Sequence, residues 1–400
     1  MQGKSRQIIV TVLMVLVIGL AIGGGFGYLA FSSQLSDLRH EVQSLRSQLQ
    51  AQCSTSQSSV AYVTYQIGSN VSISQLYQSV KDSVVVIRGM VTERSIFGTL
   101  YGEMQGSGFV YNLTGMMVVI TNFHVVEGAT NITVTFTDGD AYPAIVLGSD
   151  PYADLAVLSI KAGDSEFKPL PIVSSTDLKV GDPVIAIGNP FGLAGSVTTG
   201  IISQLGRTIT EESSGGYVIA DVIQITAPIN PGNSGGPLLN CLGQVIGITT
   251  ATVSGSEGLG FAIPSSTILR EVGSLAYTGS YTNHPWLGIT GTDMSYDIAK
   301  VMSVNVTYGW LVQTVQGDGP AGRAGLLGGS RRVRVAGDYI MLGGDIIISV
   351  NGTRVVNGDD LFTYLERNTF PGQTVNLTIV RNGKVTDIPV KLGARPNPSS

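Results

Sequence analysis

Ile8 to Phe31 is a run of 24 residues without a charge, longer than the ~20 needed to cross a bilayer as a helix. It is too long for the core of a secretory signal, and no clear Ala-x-Ala site follows. The pattern therefore predicts an uncleaved signal anchor over residues 1–31. Lys4, Arg6 and the terminal amine favour a cytoplasmic start, while Arg39 and Arg46 on the other flank weaken that bias. Gly19, Gly23 and Gly27 lie four apart, a spacing that permits close helix contact. At Phe31 the pattern changes. Leu35, Leu38, Val42, Leu45 and Leu49 follow at alternating spacings of four and three, with Ser, Gln, Arg, Glu and Asp between them. That seam predicts a coiled-coil stalk over 32–53. The small polar residues Ser54–Ser59 open a linker that runs to residue 71.

Beyond the linker, Ser72–Lys81 reads as a short helix, with Ser74 near its start. Short apolar runs then alternate with Gly- and Thr-containing turns. Val84–Arg88, Gly108–Tyr111, Val118–Thr121, Ile132–Thr137, Ala156–Ile160, Val184–Gly188, Val222–Ile225 and Val245–Thr249 read as strands. Many short strands without long helices between them make this body mainly β. Pro264–Ala276 predicts a helix that closes it, and Tyr277–Asn283 a polar linker that brings the chain to His284. In the last hundred residues Asp359–Arg367 reads as a helix with Leu361 and Leu365 on one face. Val375, Leu377 and Ile379 alternate with polar residues before Asn382-Gly383, a hairpin signal.

Composition narrows the function classes. Charged residues are 13% of the chain and the net charge is −5, so nucleic-acid binding has no electrostatic support. Arg331, Arg332 and Arg334 form the basic cluster, read as a solvated loop. Two cysteines, Cys53 and Cys241, are too few for a disulfide scaffold and lack zinc-ligand spacing. No His-Glu-x-x-His occurs, and Asp138-Gly139-Asp140 reads as a turn. Neither a metal nor a cofactor is expected. Six Asn-x-Ser/Thr sequons, at Asn70, Asn112, Asn131, Asn305, Asn351 and Asn376, suit a body outside the cytoplasm.

The chemistry is concentrated at residues 228–239, Pro-Ile-Asn-Pro-Gly-Asn-Ser-Gly-Gly-Pro-Leu-Leu. Ser234 sits among turn-forming residues that lead into an apolar run. The amides of Gly232 and Ser234 can point at one spot, where an oxyanion would form. A hydroxyl needs a base, and the chain has three histidines. His40 lies in a charged stretch and His284 beside Pro285 in the linker. His124 lies at the end of the strand-like Met116–Thr121, both fixed and reachable. Asp154 opens Leu155-Ala156-Val157-Leu158 and is placed to hold the imidazole. Asp150 precedes Pro151 and reads as a turn residue. The order His124, Asp154, Ser234 is the chymotrypsin-like order.

Thr121–Val126, Ser149–Ala156 and Asn230–Pro237 together resemble the HtrA (DegP/DegS/DegQ) serine proteases. Gly106-Ser107-Gly108-Phe109-Val110 and Gly188-Asn189-Pro190-Phe191-Gly192 are similar to further blocks of that family. The resemblance implies a double β-barrel protease domain over 72–277, with the triad between the barrels, and a homotrimer. It implies an S1 pocket at Ile229, Thr252 and Val253, shallow and aliphatic. Pro228 stands where trypsin-like enzymes place an acid. It implies a sensor loop at Arg207–Tyr217. Residues 284–393 resemble a PDZ domain, whose carboxylate-binding loop would be Trp286-Leu287-Gly288-Ile289, with Gly328–Leu342 inserted relative to the shortest such domains. The expected function is a membrane-anchored endopeptidase acting outside the cytoplasm on unfolded or damaged polypeptides, recognising C-terminal peptides. The alternatives are a DegS-like protease that cleaves one membrane signalling partner, and a PDZ-bearing chaperone or scaffold.

Overall fold

A computed structural model describes residues 72–95, 98–163, 166–189, 195–211, 217–250 and 259–396, together with Ser44. The anchor, stalk and linker read at 1–71 lie outside the described residues, Ser44 apart. Among the described residues no helix is long and apolar enough to cross a membrane.

The first helix runs from Ile73 to Val80, and its cap is Ser72 rather than Ser74. Ser72 Oγ accepts from Gln75 N while Gln75 Oε1 accepts from Ser72 N, a reciprocal capping box. Six strands follow: β1 (Val84–Ser95), β2 (Gly98–Leu113), β3 (Met116–Thr121), β4 (Ala129–Thr135), β5 (Ala141–Asp150) and β6 (Leu155–Ile160). They close into a barrel in the order β1-β2-β3-β6-β5-β4. Six more form a second closed barrel, in the order β10-β11-β12-β9-β8-β7. These are β7 (Pro183–Gly188), β8 (Ser196–Glu211), β9 (Tyr217–Ile225), β10 (Pro237–Leu239), β11 (Val245–Thr250) and β12 (Gly260–Pro264). Closure pairs the edges that an open sheet would expose. One core joins the barrels, with Phe109, Ile120 and Leu155 of the first packed in the same cluster as Ile187, Leu239 and Ile248 of the second. The Ser265–Thr278 helix lies against β5, β6 and β11 and ends at Gly279, whose φ of 83° a residue with a side chain rarely adopts.

The C-terminal module is a sheet of Ile289–Asp293, Trp310–Val315, Ile346–Val350, Thr374–Arg381 and Lys384–Lys391, covered by the Gly358–Asn368 helix. Leu361 and Leu365 are buried on the helix face that meets Val375, Leu377 and Ile379. The Asn382-Gly383 turn has φ of 50° and 75°, as a two-residue hairpin requires.

Three expectations need correction. Arg331, Arg332 and Arg334 lie on a strand, Arg331–Val335, paired with Asp338–Leu342; stacking of Arg332 on Tyr339 supports that hairpin. Asp150 is the buried last residue of β5, with Oδ1 accepting from Tyr152 N in the turn that follows, and His284, read in a linker, is buried. His284 is 3% exposed, with Nε2 2.5 Å from Asp150 Oδ2 and Nδ1 3.0 Å from Glu366 Oε1. It ties the first barrel to the helix of the C-terminal module.

Candidate active site

His124 lies just after β3 and Asp154 just before β6. These strands pair through Thr121 and Ala156, which brings their ends together. Asp154 is fully buried and takes a left-handed backbone, φ 50°, which an Asp tolerates better than most residues. Its carboxylate accepts from His124 N (3.0 Å) and from His124 Nδ1 (2.9 Å to Oδ2). The second barrel adds a donor, Thr250 Oγ1 at 2.7 Å from Asp154 Oδ2. Asn122 Nδ2 donates to the Asp154 carbonyl at 2.9 Å. Glu127, one turn beyond His124, has its carboxyl pKa pushed up by burial and then by the charge of Asp154.

Ser234 is 6% exposed, on a turn between β9 and β10. Ser107 of β2 staples that turn: its N–H donates to Ser234 O (2.8 Å) and its Oγ to Gly232 O (2.6 Å). Ser107 Oγ in turn accepts from Asn189 N (2.8 Å). Asn233 N donates to Asn230 O, and Asn233 O accepts from Gly236 N and Thr249 Oγ1. With these carbonyls engaged, the amides of Gly232 and Ser234 have no protein acceptor among the described residues. The turn reaches the His124 segment. A Cβ built on Gly106 would stand 2.6 Å from Val125 Cγ1 and 3.2 Å from Ser234 O. A buried base–carboxylate pair beside a serine on such a turn is equipped for acyl transfer.

The remaining sequence candidates divide. Ile229 is buried in the core of the second barrel, with Gly260 close behind it. Thr252 and Val253 lie outside the described residues. The sensor region of Arg207–Tyr217 is the end of β8 and the start of β9, with 212–216 outside the described residues. Its Arg207 Nη1 and Thr208 N both donate to Asp359 of the C-terminal module, at 2.9 and 2.7 Å. Trp286, Leu287, Gly288 and Ile289 line a cavity of about 410 Å³ with Phe362, Leu365 and Arg395, and β8 and β9 form its opposite wall. Ser107, Thr249 and Thr250 were not singled out for a role. Ser107 lies in a block that the sequence does flag, whereas Thr250 looks like one more residue of a buried strand.

Two clusters bring three potential ligands close together: Asp150, Glu271 and His284, and Asp138, Asp140 and Glu166. The first is engaged in its own ion pairs, and the second surrounds an exposed turn held by Asp140 N on Asp138 Oδ1.

Residues 106–248 match the trypsin-like peptidase domain and residues 285–392 the PDZ domain. Protease Do-like 1, chloroplastic, of Arabidopsis thaliana is 41% identical over 332 residues, covering 81% of this chain and 72% of that protein. The probable periplasmic serine endoprotease DegP-like of Brucella suis biovar 1 is 40% identical over 296 residues, 73% of this chain and 53% of that protein. The chain thus spans about half the length of its bacterial relatives of that type. Among solved structures, the HtrA-type protease AlgW with decapeptide aligns with a TM-score of 0.61 at 31% identity. That alignment covers 82% of this chain and 100% of that one.

Proposed function

The chain belongs to the HtrA family of serine proteases, and on that basis we propose a membrane-anchored endopeptidase that cleaves misfolded or damaged proteins outside the cytoplasm. One observation carries the reading. The His124–Asp154 pair lies beside a serine turn whose Gly232 and Ser234 amides are left without acceptors. With Nδ1–H held by Asp154, Nε2 of His124 is the basic nitrogen. Nε2 takes the Ser234 proton as Oγ attacks the peptide carbonyl. The Gly232 and Ser234 amides donate to the oxyanion, a contact worth about 10²–10³ in kcat per donor. His124 passes its proton to the leaving amine, and water, activated in the same way, releases the acyl group. Asp154 holds the ring and offsets the imidazolium charge throughout.

Residues 8–31 anchor the molecule in this reading. The heptad seam and the family likeness support a homotrimer. The PDZ domain match and the peptide in the AlgW structure support peptide binding, and in this reading C-terminal peptides are recognised at Trp286–Ile289. The S1 pocket of Ile229, Thr252 and Val253 takes small aliphatic side chains. The test is digestion of unfolded casein by the full chain in detergent, beside Ser234→Ala. We expect cuts after Val, Ala, Ile or Leu, and a variant at least about 10⁴-fold slower. Casein left intact by the wild type would overturn broad digestion, and casein cut equally by Ser234→Ala would overturn the serine mechanism; cuts mainly after Lys or Arg would overturn the pocket.

A regulatory reading, cleavage of one membrane partner, rests on the PDZ domain match and on the likeness to a peptide-bound HtrA-type protease, which support binding of a specific peptide partner. In that case casein survives, and a single co-purified membrane protein is cut by the wild type and spared by Ser234→Ala.

A further inference from the structure

Asp150, the last residue of β5, pairs with Leu155, the first of β6, so residues 151–154 form a four-residue connection. Asp154 is the last of the four. Its backbone is left-handed and its side chain fully buried. A connection this short leaves its end residue little freedom of its own. Where residues 151–153 sit decides where the Asp154 Cα sits, and with it the carboxylate. Ala153 is buried in the core that joins the barrels. Among the described residues, the hydrogen bonds of 151–153 are all made by Tyr152. Tyr152 N donates to Asp150 Oδ1 at 2.8 Å, within the turn, and Tyr152 OH donates to Pro396 O at 2.6 Å, far outside it. The Arg395 guanidinium lies 3.8 Å from the centre of the Tyr152 ring, and the His284 ring meets it edge-on at 5.6 Å.

Arg395 and Pro396 follow the last strand of the C-terminal module. That strand, Gly393–Ala394, pairs with Pro285–Trp286, and Arg395 N donates to His284 O at 3.0 Å. These bonds fix the start of the tail. Arg395 Nη1 then donates to Val218 O of β9 at 3.0 Å. From there the tail reaches the first barrel, where the Arg395 guanidinium and the Pro396 carbonyl both fall on Tyr152. The cation holds the ring by its face and the carbonyl holds it by its hydroxyl, so the side chain is fixed in two directions.

We propose that Tyr152 is a positioning residue for the Asp154 carboxylate, and that Arg395 and Pro396 form the strap that holds Tyr152 in place. The proposal rests on the reading of His124, Asp154 and Ser234 as one catalytic apparatus. Thr250 donates to the carboxylate directly, whereas Tyr152 acts through the backbone of the connection it shares with Asp154. Loosening the strap lets that connection shift. The step that needs the base then slows, while the surface that binds the reagent is unchanged.

The test is labelling of the full chain, in detergent, by a fluorescent fluorophosphonate, resolved into KI and kinact. This probe reads attack by Ser234 and needs no protein substrate. Tyr152→Ala should lower kinact about tenfold, the effect of a displacement well under 1 Å, with KI within about twofold of wild type. Tyr152→Phe, which loses the hydroxyl alone, and Arg395→Gln, which loses the cation, should each cost about threefold. Arg395→Lys keeps a cation for the ring and should recover most of that loss. Arg395→Gln should add nothing in the Tyr152→Ala background, because its effect passes through the ring. Partial unfolding lowers the fraction labelled, whereas a displaced Asp154 slows every molecule, so the two are told apart in one trace. A wild-type kinact in Tyr152→Ala, or an Arg395→Gln effect as large there as in wild type, would overturn the strap and leave the triad standing. An unlabelled wild type, or a Ser234→Ala chain labelled as fast, would overturn the triad reading itself.

Discussion

Asp154 is where the two barrels share one functional group. The first barrel supplies two donors from His124, and the second supplies Thr250 Oγ1. The carboxylate is wholly buried, so each of these hydrogen bonds bears on how firmly it holds the imidazole. Replacing Thr250 by Val removes one donor to a buried charge, worth about 1.5–3 kcal/mol. We expect kcat/KM to fall roughly tenfold or more, with a melting temperature a few degrees lower. Unchanged kinetics in Thr250→Val would mean that the two His124 contacts suffice. Ser107 acts on the serine turn through Ser234 O and Gly232 O. Its importance could not be read from the sequence, because a small polar residue between two glycines has many uses. The His124–Asp154 contact and the Ser234 turn were legible because the order and local context of these residues are each restrictive.

Among the strands of six residues or more, legibility followed apolar content; the short, fully buried β10 and β12 were not read. β6, buried at all but one residue, and β3, buried at its last four, were read almost to their ends. β5 was missed, because it alternates exposed and half-buried positions and carries Pro143. β8 was missed because its sixteen residues are rich in Thr, Gly, Ser and Gln. Strands of that kind are defined by the partners that close the barrel rather than by their own pattern. β7 shows how an element fixes the site. A Cβ on its last residue, Gly188, would stand 2.7 Å from the Asn233 Cα, next to Ser234. Backbone cannot yield there without moving Ser234. Gly188→Ala should therefore depress kcat/KM by about 10²-fold, the cost of a displacement near 1 Å, while the circular dichroism of the barrels is preserved. Wild-type rates in that variant would show that the turn adjusts freely.

At the scale of the molecule, the seam between the barrels and the C-terminal module is built from ionisable groups. His284 is central. Burial alone would lower its pKa; the carboxylates of Asp150 and Glu366 outweigh that and raise it to about 10. Glu271 of the Ser265–Thr278 helix is pushed up to about 8, first by burial and then by the charge of Asp150. Arg270, Arg395, Tyr152 and Tyr281 complete the surroundings. The sign is the same for both raised groups. The His284 contribution is fully present below its ordinary value of 6.5, declines above it, and is gone as pH passes about 10. That of Glu271 declines from 4.5 and is gone as pH passes about 8. Urea unfolding should thus show the largest gap between wild type and His284→Gln near pH 6, shrinking by pH 9.5. A gap that widens with pH would contradict the imidazolium assignment. The Asp154 arrangement has a consequence of its own at this scale. Because one carboxylate bridges the two barrels, the proposed mechanism makes any parting of those halves detune the base. The catalytic rate is in effect a strain gauge, mounted across the joint it reports on.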